Sequence, residues 1–373
     1  MGIKEIDVKA SHILMISDIH FGAHVNSEEW QENMKNYFYG FFIPKIKELK
    51  TTLKEDERVI LVNLGDTFND RKAIDINVYN LAIDIFEDIA KEIDVYTLNG
   101  NHDLAKKTNE GNTSLRAIQY IPNVTLITDP TLLNINYEGG KHTKIIAVPF
   151  LGDHSQETKY LMENAKAKYA FMHTDLAAMK YDNGMLITEG VNTDVFSGIV
   201  YSGHIHKRQE TKKCIYVGSP YHISKSDIGN QKGLYLLNLK TNKHEFIENH
   251  YSPIYHSLLM EKYIEMSIGE RQEFLNNNYN YIIIKEENIP EYKKKFDIYN
   301  LGIGTTAKFV KPVINKQTLS VNVDENIEYK EKTISELINE SINDLDVAEE
   351  FKLQLIKTSD QYLKEAEAEI AND

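Results

Sequence analysis

Five short apolar runs in this chain each end on residues able to bind a metal ion, and this repetition limits the available folds more than any other feature. "HILMIS" runs into Asp18 and His20, "VILVNLG" into Asp66, "VYTLNG" into Asn101, His102 and Asp103, "YAFM" into His173, and "IVYSG" into His204 and His206. The runs have the length and composition of strands. Helix-like segments separate the first of them: an aromatic-rich stretch from Ser27, then one with Val78, Leu81, Ala82, Ile85, Phe86 and Ile89 on a single face. That order is the βαβ pattern of a mixed α/β sheet. Ligands bind outside the carboxyl ends of strands in such sheets, so the polar endings can converge on one crevice. Any single ending reads equally well as a turn or a cap, whereas five together read as a site. Residues at i and i+2 of an extended segment point the same way, so Asp18 with His20, and His204 with His206, can each aim two donors at one spot.

Composition narrows the chemistry. One cysteine, Cys214, rules out an intramolecular disulfide and a zinc site built from several thiolates, so His, Asp and Asn must hold any metal. The formal charge of −14 argues against binding polyanions through bulk electrostatics but leaves room for a local basic rim. "HILMI" is too short to span a membrane, "MGIKEIDVK" lacks the basic start of a signal peptide, and Ile6 stands where a myristoylation signal needs Ser or Thr. The expectation is a cytoplasmic protein with no membrane association.

With 373 residues the chain has room for more than one domain. Further strand-like runs, "KIIAVPF", "CIYVGSP" and "GLYLLNL", extend the first domain over 1–255. A small α+β domain is expected at 256–320, with "YIIIKE", a lysine cluster at Lys293, Lys294 and Lys295, and "TTAKFVKPVI". Residues 321–332 are polar and read as a linker. Two amphipathic helices are expected over 333–373, the first opened by a capping box at Thr333 and Glu336. From Glu331 onward 12 acidic residues face 4 basic ones, so this tail carries −8 of the total charge.

Taken in order, DxH, "GDTFNDR", "GNHD", a lone His after a strand and GHxH resemble the calcineurin-type metallophosphoesterase superfamily. Within it "GDTFNDRKA" and "NGNHDL" resemble the SbcD-type double-strand-break-repair nucleases, the phage recombination endonuclease subunits in particular. The motifs cover Asp18 to His206. The resemblance implies an α/β fold: a two-sheet sandwich flanked by helices, a small capping domain that binds DNA, and a helical tail. It implies two divalent metal ions, Asp18, His20 and His206 holding the first, Asn101, His173 and His204 the second, and Asp66 bridging them. The family implies Mn²⁺; Mg²⁺, Fe²⁺ or Zn²⁺ would also be accepted by these ligand types.

With Asn101 as a ligand, His102 is released to act on the leaving oxygen or on charge building at phosphorus. Asp103 is expected to shape the turn. Asn69 departs from the family, where many cellular relatives have His and closer phage ones Asp, which puts an acid or base role there in doubt. Asn69, Arg71, Lys106, Lys107, Lys207 and Arg208 are the candidate substrate-binding residues, since phosphate contacts position nucleic acid without reading its sequence. His24 and His222 are expected to be solvated loop residues. The implied partners are DNA, an SbcC-type coiled-coil ATPase docked on the tail, and a second copy of the chain. The tail helices could instead pack on the chain's own body. The homodimer contact would involve the helix bearing Trp30, Met34, Tyr37, Phe38, Phe41 and Phe42, for which core packing is the default explanation. The implied function is a Mn²⁺-dependent DNA exonuclease and endonuclease subunit of a recombination and repair complex, acting in the host cytoplasm if phage-encoded. Another phosphodiesterase on the same fold, or a scaffold without catalysis, are the alternatives.

Overall fold

Strands covered on both faces need apolar residues at consecutive positions, and strands covered on one face need them only at alternate positions. Both kinds occur in the computed structural model, which describes residues 3–106, 112–137, 140–276, 278–285, 288, 290, 292, 309–315, 342, 352 and 355–359. The chain divides into two units, Met1–Asn315 and Lys316–Asp373. The first opens with β1 (Lys4–Lys9) and β2 (His12–Ile16), followed by α1 (Glu28–Tyr37), a π-helical segment (Phe38–Phe42) and α2 (Ile43–Thr52). Next come β3 (Val59–Asn63), α3 (Ile76–Ala90), β4 (Val95–Leu98), β5 (Val124–Ile127), β6 (Thr131–Tyr137), β7 (Lys141–Val148) and α4 (His154–Glu163). β8 (Tyr169–His173), β9 (Ile199–Gly203), β10 (Gln209–Glu210), β11 (Cys214–Tyr216), β12 (Gly233–Asn238) and β13 (Lys243–Glu248) complete the sandwich.

One sheet has the order β13-β12-β2-β3-β4-β5 and the other β1-β6-β7-β8-β9-β11-β10. The alternation of side chains along β2 explains how they stack. Ile13 and Met15 face the second sheet, in a core with Val62, Phe171, Tyr201 and Leu237. Leu14 and Ile16 face outward, in a core with Trp30, Tyr37, Phe38 and Phe86. On the far side, Ile146, Ala170, Met172 and Val200 pack with Leu161 of α4. The result is helix, sheet, sheet, helix, as the sequence implied.

α3 is started by Asp75, whose side chain accepts from the N–H groups of Asn77 and Val78, and it buries the stripe Val78, Leu81, Ala82, Ile85, Phe86 and Ile89. Burying one such large side chain contributes roughly 1.5–3 kcal/mol. Trp30, Met34, Tyr37, Phe38 and Phe42 are likewise buried in the chain's own core, with Phe41 packed at its edge. Core packing therefore accounts for the aromatic surplus.

A third, parallel sheet of β14 (Tyr255–Leu259), β15 (Tyr279–Lys285) and β16 (Phe309–Asn315) follows, with α5 (Met260–Glu265) and α6 (Ile268–Leu275) between its first two strands. It has a core of its own around Met260, Tyr263, Leu275, Ile282 and Ile284. Tyr255 stacks on Tyr279 at 4.6 Å, and the Tyr279 hydroxyl accepts from Asn33 Nδ2 at 2.8 Å, which ties the sheet to α1. In the second unit, residues 342, 352 and 355–359 are helical. Lys293 to Lys295, the expected linker 321–332 and most of the expected tail 333–373 lie outside the described residues. Among the described residues no helix is long and apolar enough to cross a membrane.

Candidate metal centre

Each polar ending lies at a strand's carboxyl end: Asp18 beyond β2, Asp66 beyond β3, Asn101 and His102 beyond β4, His173 at the end of β8, and His204 and His206 beyond β9. β2, β3 and β4 belong to one sheet, β8 and β9 to the other, so the residues meet across the rim of the sandwich. Main-chain bonds join the loops: Asp18 N–H donates to Gly65 O at 3.0 Å, and His20 N–H to Asp66 O at 3.1 Å. The crowding there demands glycine. Gly65 has φ of 106°, and a Cβ on it would lie 2.6 Å from His173 Nδ1; a Cβ on Gly203 would run into Ser17 Oγ. Asp18, His20, Asp66 and His204 themselves have left-handed φ values of 53°, 52°, 53° and 88°. Such backbone costs about 1–3 kcal/mol per residue and persists only where the surroundings enforce it.

Two groups of donors result, Asp18 with His20 and His206, and Asp66 with His173 and His204. His20 Nε2 is 3.0 Å from His206 Nε2. Asn101 Oδ1 is 3.0 Å from His173 Nε2 and 2.8 Å from His204 Nδ1. Asp66 Oδ2 stands between the groups, 3.7 Å from His20 Nε2 and 3.3 Å from His173 Nε2. His173 Nδ1 donates to Leu64 O at 2.8 Å, which turns its Nε2 toward the oxygens.

This donor set fits divalent cations. Asp18 Oδ2 and His20 Nδ1 are buried without a hydrogen-bond partner. Asn101, with its carbonyl oxygen inward, presents an acceptor to acceptors. Turned about, its amide nitrogen would donate to both histidines and its oxygen would accept from Arg71 Nη2 at 3.1 Å. A cation held between these groups would equally satisfy the inward carbonyl. The electrostatics agree. Burial opposes charge on both His173 and Asp66, yet their mutual attraction wins, lifting His173 to about 9 and holding Asp66 below the usual carboxylate range. The pocket thus favours a positive partner for Asp66. Burial, with His206 adding to it, keeps His20 in its neutral, ligand-competent form.

His102 sits beside both groups. Its N–H donates to Asp66 Oδ1 at 2.8 Å, and its ring lies 5.0 Å from that of His20. Nδ1 is 2.8 Å from the Asn69 carbonyl oxygen, so it carries a proton and Nε2 occupies the opposite edge of the ring. Asp103 does not touch that ring. Its carboxylate accepts from the N–H groups of Thr67, Phe68 and Gly100 at 2.9–3.2 Å, tying the GD and GN loops together. Burial and the nearby Asp66 push it up to about 7.

The candidate substrate residues separate. Arg71 is half-buried beside Asn101, and Asn69 meets His102 through its backbone. Lys106 is exposed, and Lys107 lies outside the described residues. Lys207 Nζ donates to Asp182 O at 2.6 Å. The Arg208 guanidinium donates to the Tyr235 hydroxyl and Gln231 Oε1 and stacks 4.3 Å over the Phe246 ring. His24 is exposed as expected, with Nε2 2.6 Å from Ile223 O. His222 is not a solvated residue; it is buried, and its Nδ1 accepts the Tyr255 N–H at 3.2 Å.

Three supports of the centre went unrecognised in the sequence. Asp175 Oδ1 is 3.4 Å from His204 Nε2, behind the edge that faces Asn101. Its position two residues after His173, the same spacing as the other pairs, was a usable signal. Asp182 accepts the N–H groups of His206 and Lys207, and Lys232, paired with Asp227, donates to His206 O. Neither belongs to a motif.

Residues 11–208 match the family described as calcineurin-like phosphoesterase. The chain is similar to exonuclease subunit 1 of Enterobacteria phage T4, 24% identical over 365 residues that span 95% of this chain and 99% of that protein. It is also similar to putative phosphoesterase 078R of Invertebrate iridescent virus 3, 25% identical over 213 residues, 55% of each chain.

Proposed function

This chain belongs to the calcineurin-like phosphoesterase family, and on that premise we propose that it is the Mn²⁺-dependent DNA nuclease subunit of a recombination and repair complex. The observation that carries the chemistry is the pair of donor groups with Asp66 Oδ2 between them and His102 beside them. Asp18, His20 and His206 would hold one cation, Asn101, His173 and His204 the second, and Asp66 would serve both. Bound there, two divalent cations supply charge neutralisation for the phosphate and an activated water nucleophile.

The chain's own residues do the rest. The Asn69 carbonyl fixes the His102 ring by accepting from Nδ1, leaving Nε2 to meet the substrate. With the His102 ring in its doubly protonated form, the attacking water gives its proton to solvent as it adds to phosphorus in line, the bond to the leaving oxygen breaks, and that oxygen takes the proton from Nε2. Solvent then restores the proton. Arg71, half-buried beside Asn101, is suited to grip a phosphate oxygen, with Lys106 and Lys107 further out.

DNA as substrate is supported by similarity to a phage exonuclease subunit over nearly the whole of both chains, well beyond the phosphoesterase portion. A complex with a coiled-coil ATPase docked on 333–373, a homodimer, a DNA-binding role for the third sheet and a cytoplasmic location belong to the same proposal. The second reading, a small-phosphodiester hydrolase, draws on the viral phosphoesterase, whose similarity spans 213 residues. The test is Mn²⁺-dependent cleavage of linear duplex and single-stranded DNA by the wild type and His102→Gln, with bis(p-nitrophenyl) phosphate alongside. His102→Gln should keep both metals and lose about 10²–10⁴-fold in turnover. Wild-type turnover in a metal-loaded variant would remove His102 from the chemistry, and cleavage of the small ester alone would favour the second reading.

A further inference from the structure

A cleft lies beside the centre, between the segment that follows "GDTFND" and the segment that follows "GNHD". Its walls carry Arg71, Lys72, Ile76 and Tyr79 on one side and Ser114 and Arg116 on the other, and its volume is about 440 Å³. That is within the range of small-molecule sites.

Both walls are fastened to the metal centre. Arg71 Nη2 lies 3.1 Å from the Asn101 amide. Across the cleft, Ser114 N–H and Oγ both donate to Asp103 O, at 2.9 and 3.2 Å, and Thr113 Oγ1 donates to Asn99 Oδ1 at 2.7 Å. An occupant of the cleft therefore sits against the loop that carries Asn101 and His102.

The lining combines two chemistries. Ile76, the first residue of α3, is 65% exposed, and neither it nor Tyr79 belongs to the stripe that α3 buries. The two are three positions apart on the helix, hence neighbours on its surface. Phe68 backs the Tyr79 ring, with centroids 5.8 Å apart and planes 19° from parallel. Around this apolar floor stand three cations, Arg71, Lys72 and Arg116, in a chain of net charge −14. The carboxylates nearest in sequence are turned to the main chain: Asp70 accepts the N–H groups of Lys72 and Ala73, and Asp75 those of Asn77 and Val78. Among the described residues none of the three cations is ion-paired. A bare phosphate would leave the apolar floor unused, and an apolar ligand would leave the cations without a partner. A nucleotide satisfies both, with a phosphate for the cations and a flat base for Ile76 and Tyr79.

We propose that the cleft is a nucleotide subsite, in which the base lies against Ile76 and Tyr79 and the phosphate points past Arg71 into the metal centre. Lys72 and Arg116 raise the positive potential that draws the phosphate in. The proposal rests on the nuclease reading only for the source of the nucleotide, which cleavage of DNA releases. The test is inhibition of the Mn²⁺-dependent hydrolysis of bis(p-nitrophenyl) phosphate by the 5′- and 3′-monophosphates of deoxyadenosine, with deoxyribose 5-phosphate as the control that lacks a base. At least one nucleotide inhibits about tenfold more tightly than the control. Ile76→Ser brings that preference close to unity, Ile76→Leu retains it, and Arg116→Glu weakens the nucleotide. All three variants keep the wild-type melting temperature and the wild-type kcat on the small ester. Equal inhibition of the wild type by the nucleotides and the control overturns the subsite. A preference that survives Ile76→Ser puts the base elsewhere and overturns it too. A wild type that shows the preference but cleaves no DNA removes the nuclease reading and leaves the subsite standing. One that cleaves DNA without the preference overturns the subsite alone.

Discussion

Lys232→Met isolates what holds the GHxH loop in place. Lys232 is 3% exposed, and its ammonium meets Asp227 Oδ1 at 2.5 Å, His206 O at 2.5 Å and Ser219 Oγ at 2.9 Å. Asp227 uses its other oxygen for the N–H groups of Ile223 and Ser224, both at 2.9 Å. Methionine fills much the same volume but donates nothing, so a buried carboxylate loses its countercharge and a carbonyl beside it loses its donor. Removing one partner of a buried ion pair costs about 3–5 kcal/mol, and an orphaned carbonyl about 1–3 kcal/mol. Because Asp227 can relieve part of this by taking up a proton, we expect a loss of about 4 kcal/mol. Adding Asp227→Asn removes the orphaned charge, so the double variant should be more stable than Lys232→Met alone. Urea unfolding can be followed through Trp30, the chain's one tryptophan, which is buried and packed 5.6 Å from Tyr221. Release of the His206 carbonyl should also weaken Mn²⁺ binding by the Asp18, His20 and His206 group in a calorimetric titration. Loss of less than about 1 kcal/mol, with Mn²⁺ bound as in the wild type, would refute the clamp.

The remaining predictions concern Asp175 and His222. Asp175→Asn should lower the affinity of the second cation site by about 10–100-fold, since a carboxylate behind a ligating imidazole fixes its orientation and basicity. Electron paramagnetic resonance should then show isolated Mn²⁺ where the wild type shows a coupled pair, and equal filling of both sites would sink the idea. His222 is pushed down to about 4 by burial and by Lys232, against Asp227, with His256 adding to the depression. The unfolded chain takes up that proton near 6.5 and the folded chain only near 4, so this contribution is complete above pH 6.5 and is lost as pH falls through 4. It amounts to on the order of 3 kcal/mol. Protonation would also break the bond from Tyr255 N–H that links β14 to the sandwich. Urea midpoints from pH 7 to pH 4 should fall less steeply in His222→Asn, and an unchanged slope would exclude His222 as the cause.

The elements legible in the sequence were those whose pattern follows from their own burial. β2 and β3 are buried at every position and read as continuous apolar runs, and α3 shows its stripe. β1 and β13 were not legible: β1 buries only Val8, and no residue of β13 is fully buried. These outer strands are aligned by their neighbours, β1 by β6 and β13 by β12, so their own residues carry little of the signal. The same distinction holds for Arg208, where only the packed sheets show that Tyr235 and Phe246 meet its guanidinium.

What the sequence by itself determined about the centre was its inventory. Carboxylate, imidazole and amide groups at strand ends, paired at i and i+2, follow from local geometry and would be legible in any chain that forms those strands. Only the tertiary structure decided how the inventory is used. Asp18 Oδ1 accepts the His204 N–H across 186 positions of sequence, and Asp103 clamps a loop 36 positions away. Asp182, Asp175 and Lys232 support the histidines from outside every motif. Hydrogen bonds and buried charges act over a few ångströms whatever the separation along the chain, so their partners are chosen by the packing of the two sheets.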